Sequence, residues 1–268
     1  MSQPVDASDS HEKFSVEKIA ATIDHAILHP TANDEEIKKE LAVICAYPLA
    51  SVCIKPYAVR LAAEMLRESP VKAVCTVIGF PHGSSQPEVK AFEAERAFVD
   101  GAREVDMVVN IGKVLSDDWS YVRQDIAAVR EVTRRNGGIL KVIFETDFLP
   151  RDEHKIELCR ICSELKVDFV KTSTGFGFVK SSDGKFFYKG AAAHDVKLMR
   201  KECAPEVGVK ASGGIRTLED ALQFLALGAT RLGTSSTVAI CAAAAERFGG
   251  SGFAQPVSLQ AGTTNNGY

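Results

Sequence analysis

Eight short runs of β-forming residues recur along the 268-residue chain, and each is followed by a segment with helix-forming signals. The runs lie at 21–24, 51–54, 73–77, 104–108, 140–145, 169–171, 207–210 and 231–233. A strand followed by a helix, repeated many times, is typical of a parallel sheet, because parallel neighbours need a long crossover between them. The repetition therefore predicts an α/β protein and leaves open how its sheet is closed.

Capping and proline signals mark the segments between the strands as helices. Asn33 is followed three residues later by Glu36, and Thr217 by Asp220, which is the spacing of a capping box. Pro87 can occupy the first turn of a helix, where its missing N–H has no partner to lose. Helices are predicted at 33–44, 56–66, 87–100, 119–136, 152–165, 217–227 and from 235 or 236 to 247.

The positions of the glycine-rich turns distinguish a doubly wound sheet from a closed barrel. A doubly wound sheet carries its phosphate-binding glycines after the first strand, whereas the segment 24–31 here contains none. Glycine-rich turns instead lie at 173–175, 212–214 and 233–236, after the sixth, seventh and eighth strands. A (β/α)8 barrel takes about 250 residues and often binds phosphate after strands seven and eight. The sequence therefore predicts a single (β/α)8 TIM barrel with a short N-terminal helix.

The two ends of the chain differ in composition from the rest. Residues 1–13 are polar, and residues 249–268 are rich in Gly, Ser, Thr and Asn. Such segments bury too little apolar surface to order themselves. We therefore expect a flexible N-terminal segment over 1–13, the barrel over 14–248 and a flexible C-terminal tail over 249–268.

Charge and cysteine content restrict the partners and the compartment. The chain has 32 basic and 35 acidic residues, a net charge of −3, so no overall attraction draws it to nucleic acid or to an anionic membrane. The longest apolar run, 238–245, is too short to span a membrane. Seven cysteines without a framework spacing, and a start that does not resemble a signal peptide, favour a cytoplasmic location. Cys159 and Cys162 fall inside a predicted helix, where buried thiols are expected rather than a metal site.

Charged residues occupy strand positions that should face the inside of the barrel. Alternation along the strands places inward the side chains of Glu104, Asp106, Lys141, Glu145, Lys171 and Lys210. Buried charges are costly unless they are paired. The cluster is therefore either an ion-pair network that serves stability alone or a site for the chemistry of amines.

The chemistry of amines requires a lysine that can lose its proton. A lysine attacks a carbonyl only when neutral, and its reference pKa is about 10.4. Burial and a second cation nearby both favour the neutral amine. Lys171 and Lys210 lie on neighbouring predicted strands, and Asp106 can carry protons between water, Lys210 and a carbinolamine. This interpretation predicts Lys171 as the nucleophile.

The late glycine-rich turns predict a phosphate site. Glycine lets the main chain approach an anion, and helix N-termini direct free N–H groups toward it. Ser235 and Ser236 add hydroxyl donors, and Arg216 can add positive charge. The candidate phosphate ligands are Gly175, Gly213, Gly214, Arg216, Gly233, Ser235 and Ser236.

Three segments resemble the signatures of the deoxyribose-phosphate aldolase family. They read VKTSTG at 170–175, GVKASGGIR at 208–216 and EVDMVVN at 104–110, and the resemblance extends over 15–248. It implies a class I aldolase on a (β/α)8 barrel that reversibly splits 2-deoxy-D-ribose 5-phosphate into D-glyceraldehyde 3-phosphate and acetaldehyde. It also implies a homodimer that binds a small sugar phosphate and an aldehyde and needs no metal or organic cofactor.

The resemblance assigns roles to individual residues. It implies that Lys171 forms the Schiff base, Lys210 perturbs it, Asp106 relays protons, and Asp24 orders water and substrate hydroxyls. Further implied positions are Thr174 near those hydroxyls, the phosphate ligands named above, and Tyr268, a terminal tyrosine that reaches the site. The chain departs from the family pattern at Ala26, where threonine is usual, at His29, where lysine is usual, and in an insertion over 176–189.

Two other functions are compatible with parts of the pattern. His25, His29 and His82 follow the first three strands and would suit a metal-dependent aldolase, although no carboxylate–histidine spacing joins them. A sugar-phosphate-binding protein without catalysis would keep the glycine-rich turns but have no use for Lys171 or Asp106.

Overall fold

A computed structural model of the chain describes residues 14–180, 183–249 and 253. Within them, eight parallel strands form a closed barrel, in which the last strand pairs back to the first. In their order around the barrel, the strands are β1 (Ile23–Ile27), β2 (Ser51–Ile54), β3 (Val74–Ile78), β4 (Glu104–Val108), β5 (Ile139–Ile143), β6 (Phe169–Lys171), β9 (Gly208–Ser212) and β10 (Arg231–Thr234). Strands β7 (Val179–Lys180) and β8 (Phe186–Phe187) form a separate antiparallel hairpin. The predicted single (β/α)8 barrel is confirmed.

Helices surround the barrel, as the crossover connections of a parallel sheet require. They are α1 (Val16–Ala20), α2 (Asp34–Ile44), α3 (Val59–Met65), α4 (Pro87–Val99), α5 (Ile111–Leu115), α6 (Trp119–Arg135), α7 (Asp152–Glu164), α8 (Ala193–Glu202), α9 (Leu218–Ala226) and α10 (Thr237–Phe248). Short 3₁₀ turns lie at Pro56–Ala58 and Thr146–Phe148. Among these helices, none combines the length and apolar character needed to cross a membrane.

The capping chemistry inferred from the sequence is present at two helix starts. Asn33 caps α2 and Thr217 caps α9, and in each case the N3 carboxylate also accepts a hydrogen bond from the backbone N–H of the capping residue. These reciprocal bonds satisfy N–H groups that a helix start leaves without partners. The two helix boundaries are therefore set by local sequence.

The barrel strands separate apolar from charged side chains. Val105, Met107, Val170 and Val209 are fully buried and belong to the apolar core between strands and helices. Their neighbours along the strands point the other way, into the barrel. The register pairs Lys171 directly with Lys210, and Asp106 with Lys141, so charged side chains from adjacent strands meet inside the barrel.

The fifth strand is shorter than predicted. It ends at Ile143, and Glu145 takes a left-handed backbone with φ of 58°, a conformation that a residue with a Cβ seldom adopts. The prediction that strand structure continues to Glu145 was wrong, because hydrogen bonds from the loop after β6 hold this residue in a turn. Helices α5 and α8 were not predicted, nor was the hairpin β7–β8, which lies in the 176–189 insertion.

Most of both termini lies outside the described residues. The predicted flexible segment 1–13 and most of the predicted tail, including Tyr268, therefore stay predictions, as do the domain boundaries drawn from them. Two residues of the tail are described, Gly249 and Phe253, and the Phe253 ring lies 5.1 Å from the Tyr47 ring.

Candidate active site

A cavity of about 320 Å³ lies at the carboxyl ends of the barrel strands. This is the end of a (β/α)8 barrel where catalytic residues are found. The predicted site residues that line it are Asp24, Lys171, Thr174, Gly175, Lys210, Gly213, Gly214, Arg216, Gly233, Ser235 and Ser236. Asp106 lies beneath the cavity wall, fully buried, and contacts both of the lining lysines.

Seven charged side chains form what we call the charged floor of the cavity. They are Asp24, Glu104, Asp106, Lys141, Lys171, Lys210 and Arg231. Six of them are at most 3% exposed, and the side chain of Arg231 is 11% exposed. Each comes from a barrel strand, so the sheet itself fixes their spacing.

Asp106 contacts both Lys171 and Lys210, which we call the upper layer of the floor. Its Oδ2 lies 2.8 Å from Lys171 Nζ and 2.7 Å from Lys210 Nζ, so both amines share one oxygen. Lys210 Nζ also lies 2.5 Å from Asp24 Oδ2. Lys171 therefore has a single carboxylate partner among the described residues, whereas Lys210 has two.

Lys141 and Arg231, which we call the lower layer of the floor, make more ion pairs than Lys171 does. Lys141 Nζ lies 2.9 Å from Asp106 Oδ1, 2.5 Å from Glu104 Oε2 and 3.4 Å from Asp24 Oδ2. Arg231 Nη1 lies 2.6 Å from Asp24 Oδ1 and 3.1 Å from Glu104 Oε2. Both cations lie between at least two carboxylates, and of these carboxylates Asp24 also lines the cavity.

The charges of the floor shift one another's pKa values. Burial favours the neutral acid at Asp106, but Lys141, Lys171 and Lys210 outweigh it and hold its pKa well below the usual range. Burial likewise opposes the charge on Lys210, yet Asp106 and Asp24 raise its pKa. The same balance raises the pKa of Lys141 well above its ordinary value. Lys210 and Lys141 are thus held as cations, and Asp106 as an anion.

The charged floor holds four basic groups and only three carboxylates among the described residues. Since an unpaired buried charge is unfavourable, the floor is balanced when one basic group is neutral. Arg231 cannot lose its proton in a protein, and Lys141 and Lys210 are each held by at least two carboxylates. Lys171, which lines the cavity and has one partner, is the basic group whose neutral form breaks the fewest ion pairs.

Glu145 fixes the loop that follows Lys171. Both of its carboxylate oxygens lie 3.3 Å from the Thr174 backbone nitrogen, and the Thr174 hydroxyl donates a further hydrogen bond to one of them. A Cβ on Gly177 would lie 3.0 Å from this carboxylate, so the loop packs closely around it. Burial raises the pKa of Glu145 to about 7, although the bonds from Thr174 favour its ionised form.

A second part of the cavity lining, which we call the glycine-rich end, consists of the candidate phosphate ligands. Gly213 has a φ of 93°, and a Cβ there would lie 2.5 Å from the Tyr188 hydroxyl, so a side chain would be both strained and blocked. Ser235 and Ser236 immediately precede α10, and the first N–H groups of a helix together with its dipole favour an anion. The main chain at this end can approach a ligand closely, as a site for an oxyanion requires.

The three histidines considered as metal ligands are engaged in different interactions. His25 Nδ1 lies 2.8 Å from Thr237 Oγ1, and its Nε2 lies 2.8 Å from Glu40 Oε1. His29 Nδ1 lies 2.5 Å from Thr31 Oγ1, and His82 is exposed. In the part of the chain that the structure describes, none of the three belongs to a group of side chains close enough to share an ion.

A different trio, Cys53, Cys75 and Asp106, has ligand atoms within 4.8 Å of one another. The carboxylate of this trio already pairs with Lys141, Lys171 and Lys210. A metal cation bound there would lie beside three amines, two of them held as cations, which is an unfavourable position for it.

Sequence reasoning missed two residues of the site. Arg231 begins the last strand two residues before the inward Gly233, so alternation was a signal that could have placed it inside. Tyr188 lines the cavity from the segment after the hairpin, where no strand or helix periodicity applies. Ala26 and His29, two positions at which the chain departs from the family pattern, also line the cavity.

A (β/α)8 barrel that presents a buried lysine, a second lysine and a shared carboxylate to one cavity defines an aldolase of the class that works through a lysine amine. The model of the DeoC/LacD family of aldolases matches residues 14–243. The chain belongs to this family.

Individual relatives agree with this assignment. A deoxyribose-phosphate aldolase of Clostridium perfringens strain 13 is 48% identical over 225 residues, which cover 84% of this chain and 95% of the relative. A solved structure from Coccidioides immitis, assigned as a deoxyribose-phosphate aldolase, matches with a TM-score of 0.78 at 38% identity, over 86% of this chain and 87% of the other. The tetrameric deoxyribose phosphate aldolase of Aeropyrum pernix matches with a TM-score of 0.76 at 29% identity, over 88% and 95% of the two chains.

Proposed function

We propose that this protein cleaves 2-deoxy-D-ribose 5-phosphate reversibly to D-glyceraldehyde 3-phosphate and acetaldehyde, with Lys171 as the residue that forms the Schiff base. The observation that carries the proposal is the pairing of Lys171 and Lys210 on one oxygen of Asp106, at the floor of a cavity whose lining is also rich in glycine. A lysine and a phosphate cradle in one cavity suit a substrate with a carbonyl at one end and a phosphate at the other.

The cleavage reaction begins at the carbonyl carbon of the open-chain sugar. The neutral Lys171 amine adds to that carbon to give a carbinolamine, and loss of water, with protons moved by Asp106 and Lys210, gives the iminium. Removal of the proton from the hydroxyl on the third carbon breaks the bond between the second and third carbons. The bonding electrons pass to the iminium, which becomes an enamine, and glyceraldehyde 3-phosphate is released.

The second half of the reaction regenerates the lysine. The enamine takes a proton at its terminal carbon to become the iminium of acetaldehyde, and water then hydrolyses it to acetaldehyde and free Lys171. Asp24, which contacts Lys210 and lines the cavity, is positioned to order that water. Thr174 is assigned to the substrate hydroxyls, and the glycine-rich end to the phosphate.

The iminium accepts the electrons of the broken bond, so the proposal requires no metal or organic cofactor. The experiment combines a cleavage assay on deoxyribose 5-phosphate with borohydride and with a chelator. Release of glyceraldehyde 3-phosphate that survives chelation, and that is lost permanently when borohydride and substrate are added together, is expected. Activity that disappears on chelation would favour a metal-dependent aldolase. Substrate binding without cleavage would favour a sugar-phosphate-binding protein.

We also propose that the enzyme is a cytoplasmic homodimer. All seven cysteines are free thiols, which suits a reducing compartment. On α4, Val89, Phe92 and Val99 lie on one face and are 47%, 65% and 60% exposed, which is typical of a surface that another chain covers. Light scattering on the full chain should give the mass of two subunits, and Phe92→Asp should shift it toward one. A tetramer or a monomer of the unaltered chain would contradict the dimer.

Tyr268 lies outside the described residues, and its role at the site remains part of this proposal. Its removal from the full chain should slow the exchange of acetaldehyde protons with solvent, while the melting temperature stays unchanged. A full exchange rate without Tyr268 would remove it from the mechanism.

A further inference from the structure

Tyr188 lines the same cavity as Lys171 but comes from a different kind of element. It directly follows β8 of the hairpin, inside the segment by which this chain exceeds shorter members of the family it resembles. Its side chain faces the cavity beside Gly213, Gly214 and Arg216. It therefore belongs to the glycine-rich end rather than to the charged floor.

The backbone beside Tyr188 is anchored to the barrel. The N–H groups of Lys189 and Gly190 donate hydrogen bonds to Asp147 Oδ2, at 2.9 and 3.2 Å. The Ala191 N–H donates to the Gly213 carbonyl oxygen, at 3.0 Å. These bonds fix the tyrosine against the turn after β9, so the position of its hydroxyl is set before any ligand enters.

The hydroxyl itself is buried and has no hydrogen-bond partner among the described residues. It occupies space that two glycines leave open, since a Cβ on Gly213 or Gly190 would lie 2.5 or 2.8 Å from its oxygen. Buried polar groups in folded proteins are nearly always satisfied, and those that are not require an explanation. A ligand in the cavity would supply the missing partner.

The chemistry around the hydroxyl indicates what that ligand is. Burial, together with Asp147 and Glu145, raises the pKa of Tyr188 to about 12, so the phenol keeps its proton at neutral pH and is a donor. Glycine-rich turns offer main-chain N–H groups, and Arg216 brings a cation to the same wall. All of these groups suit an oxyanion.

We propose that the Tyr188 hydroxyl donates a hydrogen bond to the phosphate group of the substrate and so helps the enzyme select phosphorylated sugars. The inference deepens the proposed function and rests on it for the identity of the substrate. It adds to the glycine-rich end a side-chain donor that the sequence motifs do not contain.

Tyr188→Phe in the full chain tests the proposal, because it keeps the ring and removes only the hydroxyl. The KM for deoxyribose 5-phosphate is expected to rise about tenfold, as for one hydrogen bond lost to a charged group. The kcat should change little, and kcat/KM for deoxyribose without phosphate should stay the same. The melting temperature of the free protein should be equal or higher, since an unsatisfied hydroxyl has been removed. Tyr57→Phe, at a tyrosine that is 64% exposed, is the matched control.

Equal losses on both sugars, or an unchanged KM for the phosphorylated one, would overturn the proposal. Calorimetric titration with inorganic phosphate separates it from the proposed function. If the unaltered protein cleaves neither sugar but binds phosphate about tenfold more tightly than Tyr188→Phe, the proposed function fails and the phosphate contact stands. If the two proteins bind phosphate equally, or neither binds it, the contact is refuted whatever the activity.

Discussion

The charged floor and the glycine-rich end lie in one cavity but are built differently. Every member of the floor sits on a barrel strand, so the sheet register sets its distances. Apart from Gly233, which lies on β10, the glycine-rich end takes its groups from loops, a helix start and the segment after a hairpin. In the proposed reaction, the strand-built floor supplies the reacting amine, where small displacements are most costly. The loop-built part would hold the non-reacting end of the substrate.

Among the variants that test this comparison, Lys171→Met has the largest expected effect. If the floor exists to present one amine, its removal should lower the rate of cleavage by on the order of 10⁴-fold or more. Because Lys171→Met leaves three basic groups opposite three carboxylates, the free energy of unfolding should fall by less than the roughly 3–5 kcal/mol expected when one partner of a buried ion pair is removed. Steady-state kinetics and urea denaturation measure the two effects. Lys72→Met, at an exposed lysine, is the control, and a variant that keeps the activity would refute the assignment of Lys171.

Lys210→Leu tests the balance of charge in the floor. Without Lys210, the positive charges of the floor equal its three carboxylate charges only when Lys171 is protonated. The Lys171 amine is then not free to attack a carbonyl. Activity should fall about 10²–10⁴-fold, the range of a lost proton-transfer group, while far-UV circular dichroism stays unchanged. Turnover equal to that of the unaltered enzyme would contradict the pairing of the two lysines.

Lys141→Met separates the lower layer from the upper one. Lys141 contacts three carboxylates and does not line the cavity, so its loss should destabilise the fold by about 3–5 kcal/mol, measured by urea denaturation. Comparison with Lys171→Met supplies the control, because both changes remove one buried lysine. Equal stabilities of the two variants would mean that ion-pair number does not distinguish the layers.

Glu145→Gln examines the junction between floor and loops. The pKa of Glu145 rises from its ordinary value of 4.5 to about 7 in the folded protein, so the folded state binds this proton more tightly than the unfolded chain. Stability from this group is therefore present at low pH and lost as the pH rises from about 4.5 to about 7, by roughly 3 kcal/mol. Glutamine still accepts hydrogen bonds from Thr174 but does not titrate.

The measurement for Glu145→Gln is the free energy of unfolding across that pH range. The decline seen in the unaltered protein should be about 3 kcal/mol smaller in the variant. Glu153→Gln, at an exposed position near the start of α7, is the control and should follow the unaltered protein. Identical pH profiles for Glu145→Gln and the unaltered chain would show that Glu145 does not titrate as described.

The same division explains what could be predicted from the sequence. Strands β2, β4 and β6 were predicted to the residue, because alternation and flanking turn signals are local properties. The inward charges followed from that alternation. The left-handed turn at Glu145 did not follow from it, since that turn depends on Thr174, which lies 29 residues away in the chain. Tyr188 could not be found, because a short hairpin carries no periodicity and only the folded barrel brings it to Gly213.

Trapping of the reaction intermediate tests the central claim most directly. The enzyme is incubated with deoxyribose 5-phosphate, reduced with borohydride, digested and mapped by mass spectrometry. The claim that the floor leaves one amine free to react predicts a reduced two-carbon adduct on Lys171, and on neither Lys210 nor Lys141. An adduct on either of those lysines, or an active enzyme that traps none, would contradict it.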